Sequence, residues 1–270
     1  MIVHLKNSFL LVLMALSIPQ LGFSQSKATK STDCSKSCTM GVNVKNVRTA
    51  EIQFTKGKIY DIAFFSVKEG RSSQLNEQYF PQALEIGKEY GARKVAAFMV
   101  TEKTAGDLNP QMIGIFEWPD MATKERFNKD KRYLKIKHLR DESISFLKVG
   151  MFEVPENTSV TFREDKDYEF FGAWLNPGME DKLAKYFEVS DPIKQNYGRP
   201  APVFKANFST VKDGPEGNSI YSPHMAGIVE WDKSEDSKVL FANEDFKTKA
   251  APLMQEAVAK IDMLHGKFIF

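Results

Sequence analysis

The sequence predicts an α+β fold in which two ferredoxin-like βαββαβ modules form an intramolecular pseudo-dimeric α/β barrel. Three observations lead to this prediction: a colinear internal repeat, the same order of strand and helix patterns in each copy, and apolar residues beyond those that one layer of helices could cover. The chain has 270 residues, of which 42% are hydrophobic and 27% charged. This composition is typical of a soluble globular protein, and the length suffices for two modules of about 100 residues each.

The internal repeat is clearest in a segment that ends in Trp. Residues 110–118 read PQMIGIFEW and residues 223–231 read PHMAGIVEW, so the Pro, Met, Gly, Ile, Glu and Trp positions are identical. Upstream, the dipeptides Tyr-Phe and Tyr-Gly occur in the same order in both copies. A turn-rich stretch at residues 212–219 lengthens the loop before the Trp segment of the second copy. The repeat therefore places a first module at residues 58–157 and a second at residues 158–270.

Both copies show the same order of elements. Alternating apolar residues predict strands, and apolar residues spaced by three or four predict helices. Each copy begins with a strand, a Gly turn and a helix, continues with two strands of which the second ends in Trp, and reaches a final strand through a helical region. The predicted strands are residues 59–67, 94–101, 112–118 and 147–154 in the first copy, and residues 168–175, 203–211, 225–231 and 261–270 in the second.

One ferredoxin-like sheet has helices on one face and leaves the other face bare. We expect Phe65, Phe116, Phe171 and Phe208 on that bare face, which would then be too apolar for contact with water. Two copies in one chain can solve this problem by packing sheet against sheet.

The motif Tyr-Phe, Tyr-Gly, Pro-x-Met-x-Gly-Ile-x-Glu-Trp and a final Phe-containing strand resembles the DUF1330 branch of the dimeric α/β-barrel superfamily. The resemblance covers residues 59–270 and implies the barrel fold. Related families include cofactor-free monooxygenases, muconolactone-type isomerases, haem-degrading enzymes and chlorite dismutases. In such barrels the pocket usually lies between the sheet and the helices of each half.

Residues 1–24 have the pattern of a secretory signal peptide. His4 and Lys6 precede an apolar run at residues 9–18, and small residues stand before Gln25. The run is too short for a comfortable membrane span, and no second long apolar run follows. We therefore expect a periplasmic or secreted protein without a membrane span.

Residues 25–57 are rich in Ser, Thr and Lys and are predicted to be a flexible leader that ends in an extended segment near residues 42–54. This leader holds both cysteines, Cys34 and Cys38. A local disulfide is the plainer interpretation in an oxidising compartment. The spacing does not match a c-type haem motif, and whether the pair is bonded stays open.

Three strand residues of the second copy are the candidate catalytic residues: His224, His265 and Glu230. Neutral imidazole can act as a base or proton shuttle near pH 7, and a buried carboxylate can act as a general acid or base. Both strand histidines belong to the second copy. The first copy has Gln111 at the position that corresponds to His224. We therefore expect the pocket in the second module. The structural alternative is that both histidines lie near strand ends, where neighbouring groups satisfy their hydrogen bonds.

The candidate binding residues are Glu117, Tyr168, Trp174 and Trp231. Glu117 and Glu230 occupy one repeated position before Trp, which favours a structural role, since a repeat preserves architecture more readily than a single active site. The aromatic residues could line a pocket for an aromatic compound, and core packing explains them equally well.

The net charge of +2 with mixed Lys, Glu and Asp argues against a nucleic-acid partner. No metal site is predicted because no third ligand stands at a recognisable spacing from the histidines, and no cofactor is predicted. The expected function is small-molecule binding or cofactor-independent catalysis on an apolar or aromatic compound. The alternatives are a non-catalytic binding or assembly module with a filled pocket, and an enzyme that acts on an extracellular carbohydrate polymer through His and Tyr. The expected state is a monomer built as a pseudo-dimer, with a higher oligomer left open.

Overall fold

A computed structural model describes residues 47–197, 204–208 and 221–270 of the chain. The predicted signal peptide, both cysteines and the long loop at residues 212–219 lie outside the described residues. For residues 204–208 only the backbone is described.

The first module contains five strands and three helices in the described chain. They are β1 (Thr49–Phe54), β2 (Ile59–Val67), a π-helical segment Gln74–Tyr79 that continues into α1 (Phe80–Glu89), β3 (Arg93–Ala105), β4 (Met112–Trp118), α2 (Met121–Asn128), α3 (Lys131–Ser143) and β5 (Ile144–Glu153).

The second module repeats this order in the described residues. Its elements are β6 (Thr158–Arg163), β7 (Asp167–Leu175), α4 (Glu180–Gln195), β8 (Phe204–Phe208), β9 (Met225–Trp231), α5 (Ser234–Ala242), a π-helical segment Phe246–Ala250 that continues into α6 (Ala251–Ala257), and β10 (Val258–Phe268).

Eight of these strands form a closed antiparallel barrel in the order β10-β3-β4-β2-β5-β8-β9-β7. Four neighbouring strands come from each module, so the barrel has two seams. At one seam β3 pairs with β10, and at the other β5 pairs with β8 through Phe152–Phe208 and Glu153–Asn207. The predicted pseudo-dimeric barrel of two ferredoxin-like modules is confirmed.

Strand β1 lies inside the segment that was predicted as a flexible leader. It pairs antiparallel with β6, from Thr49 opposite Arg163 to Phe54 opposite Thr158, and forms a separate two-stranded sheet. Phe54 and Phe162 of these two strands are fully buried against the barrel core. The folded part therefore starts before residue 58, because the alternating apolar side chains of β1 have a partner strand that follows more than 100 residues later in the chain.

The barrel interior is filled by aromatic side chains from both modules. Phe64 packs against Phe170 with ring centroids 5.0 Å apart, and Phe98 packs against Phe162 at 5.3 Å. Among the described interior side chains lies a space of about 10 Å³. The barrel interior therefore belongs to neither module alone.

Phe65, Phe116 and Phe171 face the helices and not the barrel interior, which corrects the expected assignment of faces. Phe64 and Phe170, their neighbours in sequence, take the interior positions. Adjacent strand residues point to opposite faces, and in these strands both faces are apolar, so alternation alone did not distinguish them.

We predict that residues 158–270 expressed alone will be insoluble or will dimerise, because an isolated module exposes the aromatic face that the other module buries. Burial of apolar surface contributes about 25 cal/mol per Å². Size-exclusion chromatography with light scattering measures the state of the fragment beside the full chain. A stable, soluble monomeric fragment would contradict the shared interior.

Candidate functional site

The first module contains a cavity of about 380 Å³ between its sheet and its helices. The corresponding space in the second module measures about 90 Å³. Sites for small organic molecules usually start at about 300 Å³, so only the larger of these two spaces reaches that size.

The difference in volume follows from residues at equivalent positions. In the first module Ala63 of β2 pairs with Val149 of β5, and both line the cavity. In the second module Phe171 of β7 pairs with Met263 of β10 at the same place in the sheet, and both line the smaller space. Phe171 and Met263 thus occupy space in the second module that the smaller Ala63 and Val149 leave open in the first.

The helices add to this difference. Gly87 of α1 lines the cavity of the first module, eight residues after Tyr79, and Lys194 of α4 takes the same place after Tyr186. The Lys194 ammonium lies 5.0 Å from the centre of the Tyr186 ring and 5.4 Å from that of Phe187. Its side chain therefore covers aromatic surface where the first copy has no side chain at all.

The cavity walls of the first module are mainly apolar and aromatic, with a few polar groups. The apolar and aromatic lining residues include Phe65, Tyr79, Phe80, Phe116, Trp118, Met121, Phe127, Tyr133, Ile144, Leu147 and Met151.

Asp61 is a buried carboxylate on the cavity wall, in the middle of the apolar strand β2. Its Oδ2 accepts hydrogen bonds from Trp118 Nε1 at 3.1 Å and from the Lys124 ammonium. The Lys124 ammonium also lies 4.2 Å from the Trp118 ring centre. Asp61 Oδ1 has no hydrogen-bond partner among the described residues. Lys124 compensates the buried charge, and one oxygen of the carboxylate still lacks a donor.

A second polar group of the cavity consists of two tyrosines and an arginine from the helical segments. Arg140 donates a hydrogen bond to the Tyr133 hydroxyl at 3.1 Å, and Tyr79 lines the cavity beside them. Burial raises the pKa of Tyr79 well above its usual value, and Tyr133 and Asp61 act in the same direction while Arg140 opposes them. The Tyr79 hydroxyl is therefore protonated at neutral pH and can donate a hydrogen bond.

In the second module a buried carboxylate stands at the same place but receives its positive charge from another element. Glu169 replaces Asp61, and Ser237 replaces Lys124 at the position six residues after the strand-ending Trp. The cation is His265 on β10, which lies opposite Glu169 in the sheet, whereas Met151 lies opposite Asp61 in the first module.

His265 is fully buried in a cluster with two carboxylates. Its Nδ1 contacts Asp167 Oδ1, and its Nε2 lies 3.1 Å from Glu169 Oε2 and 3.0 Å from Ser237 Oγ. Burial disfavours the charged imidazolium, but the hydrogen bonds with Asp167 and Glu169 outweigh it and raise the pKa of His265 to about 9. His265 is therefore protonated at neutral pH.

The sequence Ser237–His265–Asp167 has the connectivity of a nucleophilic triad, but its chemistry is different. A protonated imidazole cannot accept the proton of a serine hydroxyl. The Ser237 hydroxyl instead donates to the Ser234 carbonyl at 2.9 Å, and neither Ser237 nor His265 lines either of the two cavities. The cluster stabilises the fold by pairing buried charges.

The structure does not bring the three predicted catalytic residues together. His265 lies on the helix-facing side of the sheet with Glu169, whereas Glu230 lies on the interior side, where the Tyr168 hydroxyl is 3.3 Å from Glu230 Oε2. His224 is exposed at the start of β9 and accepts a hydrogen bond from the Leu175 N–H at 2.8 Å. The expected grouping of these residues around one pocket of the second module is therefore not what the geometry shows.

Glu117 and Glu230 form hydrogen bonds with tyrosines at equivalent positions of the two modules. Tyr60 donates to Glu117 at 2.9 Å and accepts from the Thr55 N–H, as Tyr168 accepts from the Arg163 N–H in the second copy. Burial opposes ionisation of Glu117, but hydrogen bonds from Arg93 and Tyr60 outweigh it and hold the pKa of Glu117 below its usual value. Glu117 is thus ionised and holds strand ends together, in agreement with the structural alternative.

The two predicted binding tryptophans are packing residues. Trp174 lies against Tyr221, with ring centroids 5.3 Å apart, and below the Lys260 ammonium at 5.0 Å. Trp231 is buried in the helix-facing cluster of the second module and lines the 90 Å³ space.

The residues that the sequence analysis missed are Asp61, Lys124, Tyr79 as a polar group, Tyr133 and Arg140. One signal was available: Asp61 is the single charged residue in the apolar run IYDIAFFSV. A charge in such a strand must be paired if it is buried, and Lys124 could then have been sought on the following helix.

Among the described residues no group of His, Cys, Asp and Glu is arranged to hold a metal ion, and no helix is long and apolar enough to cross a membrane.

Residues 58–149 match the model of a family described as a domain of unknown function, DUF1330. For the first module this match confirms the resemblance that the repeat motif suggested. Comparison with curated proteins gives no match.

Several solved structures share the fold. An anthrone oxidase-like protein has a TM-score of 0.51 and 10% identity over 82% of this chain and 95% of its own. A mutant chlorite dismutase from Candidatus Nitrospira defluvii has a TM-score of 0.48 and 8% identity over 79% of this chain and 92% of its own. A cofactor-independent oxygenase from Streptomyces nogalater, mutant N63A, has a TM-score of 0.27 and 12% identity and covers 37% of this chain and 95% of its own. Of these three, the anthrone oxidase-like protein has a TM-score above 0.5, and at 10% identity its likeness establishes the fold alone.

The His265 cluster predicts a pH-dependent stability. Because the pKa of His265 is raised from 6.5 to about 9 on folding, its contribution is fully present below pH 6.5 and is lost as the pH rises through 9. We expect the free energy of unfolding to fall by on the order of 3 kcal/mol over this range. Urea denaturation at a series of pH values measures it.

Two variants sharpen this measurement. Asp167→Asn removes one partner charge and should flatten the decline, whereas His138→Gln, at an exposed position on α3, should leave it unchanged. An equal slope in wild type and Asp167→Asn would contradict the assignment.

Proposed function

We propose that the first module binds a small, mostly apolar aromatic molecule in the cavity between its sheet and its helices. The observation that carries this proposal is the 380 Å³ cavity, lined by aromatic side chains and by a few polar groups. Small-molecule sites typically combine such a surface with a small number of placed polar groups.

The second module supports this interpretation by comparison. It has the same fold, and it fills the equivalent space with Phe171, Met263 and Lys194. The architecture therefore does not require an open space, and keeping one forgoes packing energy in the first module. A bound molecule accounts for that cost.

The sequence left two alternatives, a non-catalytic module with a filled pocket and an enzyme that acts on a carbohydrate polymer, and both fit the cavity less well. The filled barrel interior agrees with a structural role for that face, but it leaves the open cavity of the first module unexplained. A carbohydrate polymer needs a long groove, and the cavity is bounded by α1, α2 and α3 on the side away from the sheet.

The proposal includes export, so that binding takes place in the periplasm or outside the cell. It rests on the signal-like pattern of residues 1–24. We expect the intact mass of protein purified from its own host to correspond to a chain that starts near Gln25. A mature chain that still begins at Met1 would contradict this part.

The binding site can be tested by replacing a cavity residue of the first module with the residue at the equivalent position of the second module. Ala63→Phe places the counterpart of Phe171 on the cavity wall and should weaken binding of an aromatic probe such as 2-naphthol at least tenfold, because the ring occupies the ligand's space. Isothermal titration calorimetry measures the affinity, and circular dichroism confirms that the variant is folded.

The matched control is the reverse change, Phe171→Ala, which enlarges the space in the second module and should leave the affinity for 2-naphthol as in the wild type. The proposal fails if the wild-type protein binds neither 2-naphthol nor related bicyclic aromatics, or if Ala63→Phe binds them as well as the wild type does.

A further inference from the structure

We propose that the ligand of the first-module cavity is a hydroxyl-bearing aromatic compound whose O–H donates a hydrogen bond to Asp61 Oδ1. This inference rests on the proposed binding function and names the chemical class that the site selects.

The first observation is the unequal use of the two Asp61 oxygens. Oδ2 accepts from Trp118 Nε1 and from the Lys124 ammonium, whereas Oδ1 is buried and has no hydrogen-bond partner among the described residues. Native proteins rarely leave a buried carboxylate oxygen unsatisfied, because the desolvation cost is not recovered. The missing donor is thus expected from a molecule in the cavity that Asp61 lines.

The second observation comes from the other copy. On the strand opposite the equivalent carboxylate, the second module has His265, whose Nε2 forms an ion pair with Glu169 Oε2 at 3.1 Å, although that oxygen has no hydrogen-bond partner among the described residues. In the first module the residue opposite Asp61 is Met151, whose thioether offers no donor. The neighbouring strand thus places a polar side chain beside the carboxylate in the filled module and an apolar one in the module with the open cavity.

Charge on the cavity wall distinguishes a hydroxyl from an ammonium donor. Lys124 already compensates the charge of Asp61, while Arg93 and Arg140 on the cavity wall are paired with Glu117 and Asp141. A cationic ligand at Asp61 would meet repulsion from the Lys124 ammonium, whereas a neutral hydroxyl donates to Asp61 without adding positive charge.

The size and surface of the cavity complete the description. Aromatic rings line much of the wall, so the body of the ligand is expected to be aromatic, and stacking or edge contacts with Trp118 and Phe127 suit it. The protonated Tyr79 hydroxyl can donate to a second polar atom of the same ligand, such as a carbonyl oxygen.

The test compares 2-naphthol with 2-methoxynaphthalene, which has the same ring system but no O–H. In the wild-type protein we expect 2-naphthol to bind roughly tenfold or more tightly, because only it can donate to the carboxylate. Calorimetric titration of the full-length protein with each compound measures the affinity ratio.

Asp61→Asn should remove this preference. The amide oxygen remains the only atom that can accept from Trp118 and Lys124, so the amide NH₂ turns toward the cavity and presents donors where the carboxylate presented an acceptor. The affinity ratio should then fall to about one. Glu169→Gln makes the same change in the second module and should leave the wild-type ratio intact.

The outcomes separate this inference from the proposed function. If both compounds bind the wild type equally well and Ala63→Phe weakens both, the cavity is a binding site but Asp61 does not select a hydroxyl. If neither compound binds, the proposed function itself fails. The carbon-13 shift of the Asp61 carboxylate provides a readout that needs no variant: it should change on titration with 2-naphthol and not with the methyl ether, and equal changes would overturn the inference.

Discussion

The closed barrel shared by the two modules is the constraint on which the other features of this protein depend. Each module contributes four neighbouring strands, and the interior between them is filled by rings from both copies, such as Phe64 and Phe170. Because the interior face is committed to this packing, any space for a ligand has to arise on the other face, between a sheet and its own helices. The two modules solve that second packing problem differently.

The second packing problem centres on a buried carboxylate in the first barrel strand of each copy. Asp61 is compensated by Lys124 from α2, and Glu169 is compensated by His265 from β10. A buried negative charge requires a nearby cation, but the fold does not dictate which element provides it. When the cation comes from the helix, the strand position opposite the carboxylate is free to be Met151. When it comes from the strand, that position is His265 and the helix position of Lys124 is Ser237.

The copies have thereby taken different roles. The second module is filled by Phe171 and Met263 and holds a protonated histidine in a buried cluster. The first module keeps small side chains, Ala63 and Gly87, at the corresponding positions. A duplicated fold can be divided in this way, since the barrel needs both sheets for closure but needs an open space in only one of them.

The sequence by itself determined the repeat, the order of strands and helices, and the barrel that follows from them. These features depend on local periodicity and on matching motifs, which are properties of neighbouring residues. The repeat favoured a structural role for Glu117 and Glu230, although the sequence also made Glu230 a candidate catalytic residue and Glu117 a candidate binding residue. Only the tertiary structure decided which groups meet: His265 is buried on its strand beside Asp167 and Glu169, whereas His224 is exposed just before β9. The same holds for Asp61, whose partners Trp118 and Lys124 are 57 and 63 residues away in the chain. Alternation along a strand assigns each residue to one of two faces, but it does not decide which face is inside the barrel. The volume left between packed strands and helices depends on side chains from several of these elements at once.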